Sequence, residues 1–245
     1  MSGRRLYRRS AGGNKFKSFT VTVKETDLWI AVPPKSFAAA LPGEIEQLVW
    51  RSRRQLERYI KEHPDFALTR EPYLVQGPAP EIALEMARAG NVAGVGPMAA
   101  VAGALAEIVG RWLLHRCSEV IVENGGDIFL KTVEPLKVAV LAGKSSLSEK
   151  MALLVEPEGR PCGICTASGT SGHSYSRGCA DAAVILSPSA PLADAAATAM
   201  GNRVRGPGDL ERALTFARSI DGVTGAVAIC GEKIALWGRL QLQPL

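Results

Sequence analysis

A run of hydroxyl-bearing residues and glycines, from Cys165 to Gly178, is the part of the sequence best suited to bind a phosphate-bearing ligand. Backbone amides that glycine leaves accessible, together with the side chains of His173 and Arg177, are groups that hold diphosphates in proteins. Long loops inside compact proteins are usually functional, although a disordered polar loop is the alternative. The candidate ligand-binding residues of this run are Thr166, Ser168, Gly169, Thr170, Ser171, Gly172 and Ser174.

A second candidate lies in the string Ala193-Asp194-Ala195-Ala196-Ala197-Thr198. Asp194 and Thr198 are four residues apart, so a helix would place both side chains on one face. A carboxylate and a hydroxyl are hard oxygen donors, which together with a substrate phosphate and waters could hold Mg²⁺. The alternative is that Asp194 only favours the start of its helix.

Two glycine-containing turns are further candidates. Gly94-Val95-Gly96-Pro97 precedes a helix, where exposed N–H groups favour an anion, and Gly96 is the candidate contact. A tight turn with Pro97 at the first helical position is the structural alternative. In Asn124-Gly125-Gly126-Asp127 the glycines could admit a ring or a phosphate beside the carboxylate of Asp127, or they could simply form a hairpin turn.

The cysteines allow a different chemistry. Cys162 and Cys165, followed by His173 and Cys179, supply four soft ligands in one stretch, but the spacing is irregular. A redox or sulfur-carrying dithiol and buried or incidental thiols are the other interpretations. Five cysteines are an odd number, which suits a reducing compartment such as the cytoplasm.

The elements that must position these residues are strands joined by hairpins and interspersed with helices, which indicates an α+β fold with largely antiparallel sheets. We expect a basic, flexible tail over 1–17 and one domain over 18–245. The predicted strands are 19–32 as a pair, 119–123, 128–132, 138–141, 152–155, 182–186, 224–230 and 233–239. Five helices are predicted: from Pro42 to just before Pro64, from Glu81 to Gly90, from Pro97 to beyond Trp112, from Pro191 to Gly201, and from Asp209 to Ser219.

Composition and charge limit the class of protein. The chain has 245 residues, 47% of them hydrophobic and 22% charged, which is ordinary for a soluble protein. The net charge of +5 comes from the six Lys and Arg residues within 1–17, so the remainder carries −1 and argues against nucleic acid as a partner. The uncharged run from Ala89 to Ala106 is built from Gly and Ala and contains Pro97, so we expect no membrane span. The start of the chain leads into no apolar segment, and we expect a cytoplasmic protein.

Three of these strings, taken in order, resemble the ApbE superfamily of flavin transferases: 124–127, 166–169 and 193–201. The chain is most similar to a short ApbE-like branch that shares strings like 96–103 and 171–174. The resemblance extends from about Lys17 onward and implies an ApbE-like α+β fold. In the transferases the corresponding residues bind Mg²⁺ and surround FAD, which implies Mg²⁺ on Asp194 and Thr198 here. It likewise implies FAD or FMN near Gly125, Gly126, Asp127, Ser168 and Gly169.

The sequence departs from the transferases between Thr170 and Leu192, where their His-Ile-Ile-Asp-Pro string is absent. Fold alone does not carry an activity across such a difference. The leading hypothesis is a protein that binds a flavin or nucleotide diphosphate with Mg²⁺ and transfers the flavin-phosphate portion to an acceptor protein, with His173 or Asp127 taking the acceptor's proton. The alternative is a non-catalytic or thiol-dependent partner in sulfur metabolism that uses Cys162, Cys165 and Cys179.

Overall fold

Strands of alternating or continuously apolar sequence build two antiparallel sheets. The computed structural model describes residues 15–156, 159–170, 178–238 and 240–245. The strands are β1 (Lys17–Val23), β2 (Thr26–Val32), β3 (Val120–Asn124), β4 (Asp127–Lys131), β5 (Leu136–Ala139), β6 (Met151–Val155), β7 (Cys162–Ala167), β8 (Ala182–Ser187), β9 (Gly225–Cys230), β10 (Lys233–Gly238) and β11 (Gln241–Pro244). In the described residues they pair as an eight-stranded sheet, in the order β1-β2-β3-β4-β7-β8-β9-β10, and a three-stranded sheet, β11-β6-β5. Every neighbouring pair is antiparallel, which confirms the predicted sheet type.

The helices cover one face of the larger sheet. They are α1 (Leu41–Glu62), α2 (Asp65–Leu68), α3 (Glu81–Ala93), α4 (Val101–Leu114), α5 (Ala190–Gly201) and α6 (Leu210–Ser219), with 3₁₀ turns at Pro34–Ser36, Pro97–Ala100 and Pro207–Asp209. The α5 helix packs on β7 and β8 and also touches α3 and α4, so it lies at the centre of the helical layer.

The two faces of the larger sheet are buried against different layers. In β2, Leu28 and Ile30 belong to the core beneath the helices, whereas Trp29 and Ala31 belong to the core beneath the three-stranded sheet. This alternation follows from the period of two in a strand. Because both faces are covered, central strands such as β9 are buried throughout and appear in the sequence as unbroken apolar runs.

Several predicted boundaries are wrong. Helix α3 continues past Gly90 to Ala93, because Gly90 packs against the backbone at Val95 and Gly96, and the left-handed Gly94 (φ 74°) ends the helix. The helix predicted to start at Pro97 begins as a 3₁₀ turn and becomes α-helical at Val101.

Two strands were not predicted. The β7 strand overlaps the start of the polar run, and β11 lies beyond the last predicted strand, 233–239. The predicted tail falls mostly on 1–14, outside the described residues. Its last part is structured, because Lys15 forms ion pairs with Glu119 and Glu134, and Lys17 begins β1.

In the described part of the chain, one helical segment, Pro97–Leu114, is long and apolar enough to cross a membrane. More than half of it, 56%, is buried inside the protein, where α4 packs against β3, β4 and α5. This burial is that of a core helix.

Close contact between α5 and β7 depends on Gly163. A Cβ at that position would overlap the backbone of Ala190. We therefore expect Gly163→Ala to lower the free energy of unfolding by about 1–3 kcal/mol, the usual cost of overpacking. Denaturant unfolding measures this change.

Gly43→Ala is the matched control, because no atom lies within 4 Å of the position its Cβ would occupy and it sits in the first turn of α1. For this variant we expect the free energy of unfolding to stay the same or to rise by up to about 1 kcal/mol. Equal destabilisation by both substitutions would contradict the packing argument.

Candidate functional site

A half-buried carboxyl and a buried thiol meet where β4 begins and β7 ends. The register that pairs Ile128 with Ile164 places Asp127 opposite Cys165, whose thiol lies near the Asp127 carboxyl and donates to the Ala190 carbonyl at 3.4 Å. Oδ1 of Asp127 also accepts a hydrogen bond from the Thr166 N–H at 3.3 Å. Burial raises the pKa of Asp127 to about 7, although the nearby Cys165 thiol and the hydrogen bond from the Thr166 N–H favour its ionised form.

Asp194 approaches this pair from α5. Its Oδ2 accepts a hydrogen bond from the Gly103 N–H at 2.9 Å, and its carboxyl also accepts one from the Ala102 N–H. These are N–H groups of the first turn of α4, which have no partner inside their own helix. Burial, and after it the nearby charge of Asp127, raises the pKa of Asp194 well above its ordinary value. Asp194 thus stabilises the start of a helix, as the alternative interpretation supposes, but that helix is α4 and not its own helix, α5.

The contact between the two helices is reciprocal. Glu107 on α4 accepts a hydrogen bond at 2.6 Å from the N–H of Ala190, the first residue of α5. Glu107 also forms an ion pair with Arg111, and burial raises the pKa of its carboxyl. Each helix therefore supplies a carboxylate to the positive end of the other.

Thr198 lies one turn beyond Asp194 on α5 and is half-buried. Its hydroxyl has no hydrogen-bond partner among the residues described. The spacing of four places it on the same face of α5 as Asp194. The helical conformation of α5 therefore places the oxygens of Asp194 and Thr198 on one helix face, and Mg²⁺ binding by them remains a prediction.

The turn at 124–127 is the predicted hairpin, and its glycines are needed for their conformation. Gly125 and Gly126 have φ of 70° and 109°, and no atom lies within 4 Å of where either Cβ would be. The turn is held from both sides: Asn124 Nδ2 donates to the Ala102 carbonyl at 3.1 Å, and Glu123 accepts from the Gly126 N–H at 2.7 Å. A rigid turn with open space above its glycines lies beside Asp127.

Gly96 has a packing role. It is buried, and a Cβ there would overlap the carbonyl of Thr69, so the segment around 69–70 covers it. Contact between Gly96 and a ligand remains a prediction.

The polar run is described only at its two ends, Thr166 to Thr170 and Gly178 onward. Ser171, Gly172, His173 and Ser174 lie outside the described residues. The two ends are drawn together: the Gly169 N–H donates to the Ala180 carbonyl at 2.8 Å, and a Cβ on Gly169 would overlap the carbonyl of Gly178.

Sequence reasoning missed Asp181, a buried carboxyl just before β8. It accepts hydrogen bonds from the Thr170 hydroxyl and from the Gly231 N–H, both at 2.8 Å. A lone Asp before an apolar strand carries little signal, because its partners come from elsewhere in the chain.

The strand geometry opposes a dithiol of Cys162 and Cys165. Residues three apart in a strand point to opposite faces, and here Cys165 faces the helices while Cys162 packs toward the three-stranded sheet. Burial raises the pKa of Cys162 to about 12 and that of Cys165 well above its ordinary value, so both are thiols. Cys179 is exposed. Among the described residues, no three Cys, His, Asp or Glu side chains converge to hold a metal.

Comparison with solved structures identifies the fold. A flavin transferase ApbE from Vibrio cholerae superposes with a TM-score of 0.64 over 93% of this chain and 97% of that chain, at 14% identity. A flavinyl transferase ApbE from Pseudomonas stutzeri, in its apo form, gives a TM-score of 0.58 over 91% and 94% at 15% identity. The chain therefore has the ApbE fold, as the resemblance implied.

Sequence comparison identifies the family. A UPF0280 protein of Methanococcoides burtonii is 42% identical over 220 residues, which is 89% of this chain and 91% of that protein. A UPF0280 protein of Methanosarcina barkeri is 42% identical over 77% of this chain and 75% of that protein. The family model described as "AbpE bacteria" matches residues 8–236. The chain therefore belongs to this ApbE-like family, together with the UPF0280 proteins.

Proposed function

We propose that this protein binds FAD together with Mg²⁺ in the cytoplasm and transfers the FMN portion to an acceptor protein. The observation that carries the proposal is the meeting of two carboxyls, the half-buried Asp127 and the buried Asp194, beside the first residues of the polar run. The solved structures with this fold include flavin transferases, and their likeness to this chain supports the class of ligand.

The residues present fit Mg²⁺. Asp194 and Thr198 offer hard oxygen donors from one helix face, and Mg²⁺ is usually bound through one or two carboxylates plus substrate phosphates. A carboxylate has about four lone-pair sites, so Asp194 keeps capacity for a cation after it accepts from Gly103 and Ala102. The charge interaction of Asp194 with Asp127 disfavours two ionised carboxyls in the absence of a cation.

Mg²⁺ and the protein's own groups would have different roles in the reaction. When bound, Mg²⁺ would neutralise the diphosphate and the charge that develops on the departing AMP. Asp127, with a pKa near 7, is suited to take the proton of the acceptor group, since a base works best when its pKa lies near the ambient pH. His173 is the other proposed base. The N–H groups of the polar run would orient the phosphates.

Removing the proposed Mg²⁺ ligands should weaken Mg²⁺-dependent FAD binding. Asp194→Asn keeps an acceptor for the Gly103 N–H while it removes the charge, and Thr198→Val removes one oxygen with little change of shape. For each variant we expect the affinity for FAD in the presence of Mg²⁺ to fall by at least about tenfold, or about 1.4 kcal/mol. Flavin fluorescence titration measures this, and AMP release measures turnover.

Thr215→Val is the control, because Thr215 is an exposed helical threonine on α6 whose hydroxyl bonds to the Glu211 carbonyl. It should leave both readouts unchanged. The proposal is wrong if wild-type protein binds FAD equally well with Mg²⁺ and with a chelator, or if neither site variant affects binding.

The thiol-dependent alternative predicts a different pattern of reactivity. We expect native protein treated with iodoacetamide at pH 8 to be labelled at Cys179, which is exposed, while Cys165 stays unmodified because it is fully buried with a raised pKa. Peptide mass mapping reads out the sites, and labelling in denaturant is the positive control. FAD binding should survive Cys162→Ser. Rapid native labelling of Cys162 and Cys165, with loss of function, would support the alternative instead.

A further inference from the structure

Asp181 fixes the direction of one hydroxyl at the described end of the polar run, that of Thr170. Its side chain is 7% exposed, its Oδ1 accepts from the Thr170 hydroxyl at 2.8 Å, and its Oδ2 accepts from the Gly231 N–H at 2.8 Å. The N–H of Asp181 itself donates to the carbonyl of Ile229 in β9 at 2.9 Å, which holds the backbone of Asp181 against β9. A rigid acceptor therefore stands behind an exposed hydroxyl.

The proton of Thr170 is committed to this carboxylate. An ionised carboxylate only accepts hydrogen bonds, whereas a hydroxyl has one proton and two lone pairs. Because Thr170 gives its proton to Asp181, Thr170 is the acceptor in any hydrogen bond across its 3.4 Å contact with the Ser168 hydroxyl. Ser168 also accepts from the Thr170 N–H at 3.2 Å, so the two residues are held in one arrangement. Thr170, which is exposed, can thus offer a ligand one remaining lone pair and no proton.

We propose that Asp181 is a positioning residue that makes Thr170 a hydrogen-bond acceptor, so that this end of the polar run selects a ligand group that donates hydrogen bonds. A phosphate oxygen only accepts and finds no partner in Thr170. A hydroxyl of a polyol chain or a ring N–H does find one. The proposal rests on the proposed function. Backbone amides and Mg²⁺ would hold the diphosphate of the ligand, and Thr170 would accept a hydrogen bond from the part of the ligand that carries hydroxyls and an N–H.

Two probes distinguish these two parts of the ligand: FAD, which has a polyol chain and a flavin-ring N–H, and inorganic pyrophosphate, which has neither. Both are titrated in the presence of Mg²⁺, FAD by flavin fluorescence and pyrophosphate by calorimetry. Thr170→Val should weaken FAD about tenfold, because a ligand donor loses its acceptor, and leave pyrophosphate unchanged. Thr170→Ser should restore FAD binding to within about twofold, since it restores the hydroxyl.

Asp181→Asn keeps the Thr170 hydroxyl but reverses the direction in which it donates its proton. Its amide oxygen can still accept from the Gly231 N–H, and its NH₂ then donates to Thr170, whose proton turns outward. We expect FAD to weaken about tenfold and pyrophosphate to bind equally or more tightly. The matched controls are Asp27→Asn and Thr22→Val, since Thr22 donates to Asp27 at 3.4 Å in an exposed pair on the β1–β2 hairpin.

Each outcome decides the inference. Parallel losses of FAD and pyrophosphate in the Asp181 and Thr170 variants, with unchanged thermal unfolding, would show that the pair only supports the loop, and the inference fails while the proposed function stands. Unchanged FAD binding in both variants also overturns the inference. Wild-type protein that binds pyrophosphate but no flavin, or neither probe, overturns the proposed function and the inference together.

Discussion

The mutual capping of α4 and α5 is the interaction on which the candidate site depends. Asp194 of α5 accepts from the N–H of Gly103, and Glu107 of α4 accepts from the N–H of Ala190. Helix caps of this kind contribute about 0.5–2 kcal/mol each. The two bonds lie one turn apart on each helix and run in opposite directions. They therefore fix the distance between α4 and α5 and prevent α5 from sliding along α4.

This arrangement requires small residues at the contact. A Cβ on Gly103 would overlap the carbonyl of Ala190, and one on Gly163 would overlap the backbone of the same residue. The start of α5 is therefore held between α4 and β7, where no larger side chain fits. The alanines of α5 serve this approach, and they also leave Asp194 and Thr198 as the polar groups that follow on its inner face. One helix therefore both caps its neighbour and supplies the proposed cation ligands.

Local patterns in the sequence were enough to predict the hairpin at Gly125 and Gly126, the alanine-rich helix and the antiparallel sheet type. Their causes are local: positive φ, helical spacing and period-two alternation. The β7 strand was missed because its end, Thr166-Ala167, blends into the polar run and its first half is apolar on both faces. Asp181 and Glu107 could not be predicted as structural partners, since their hydrogen bonds reach residues 50 and 83 positions away.

Residues on the two faces of the larger sheet have different roles: those on one face support the fold, and those on the face toward the helices contribute to the candidate site. On β3, Glu123 points away from the helices and holds Gly126, whereas its neighbour Asn124 points toward them and binds Ala102. On β7, Ile164 packs under the three-stranded sheet and Cys165 meets Asp127 beneath α5. Because the period of a strand is two, a motif that crosses a strand is divided between these layers. Residues that are adjacent in the sequence thus have different roles, and the candidate site draws only on those that face the helices.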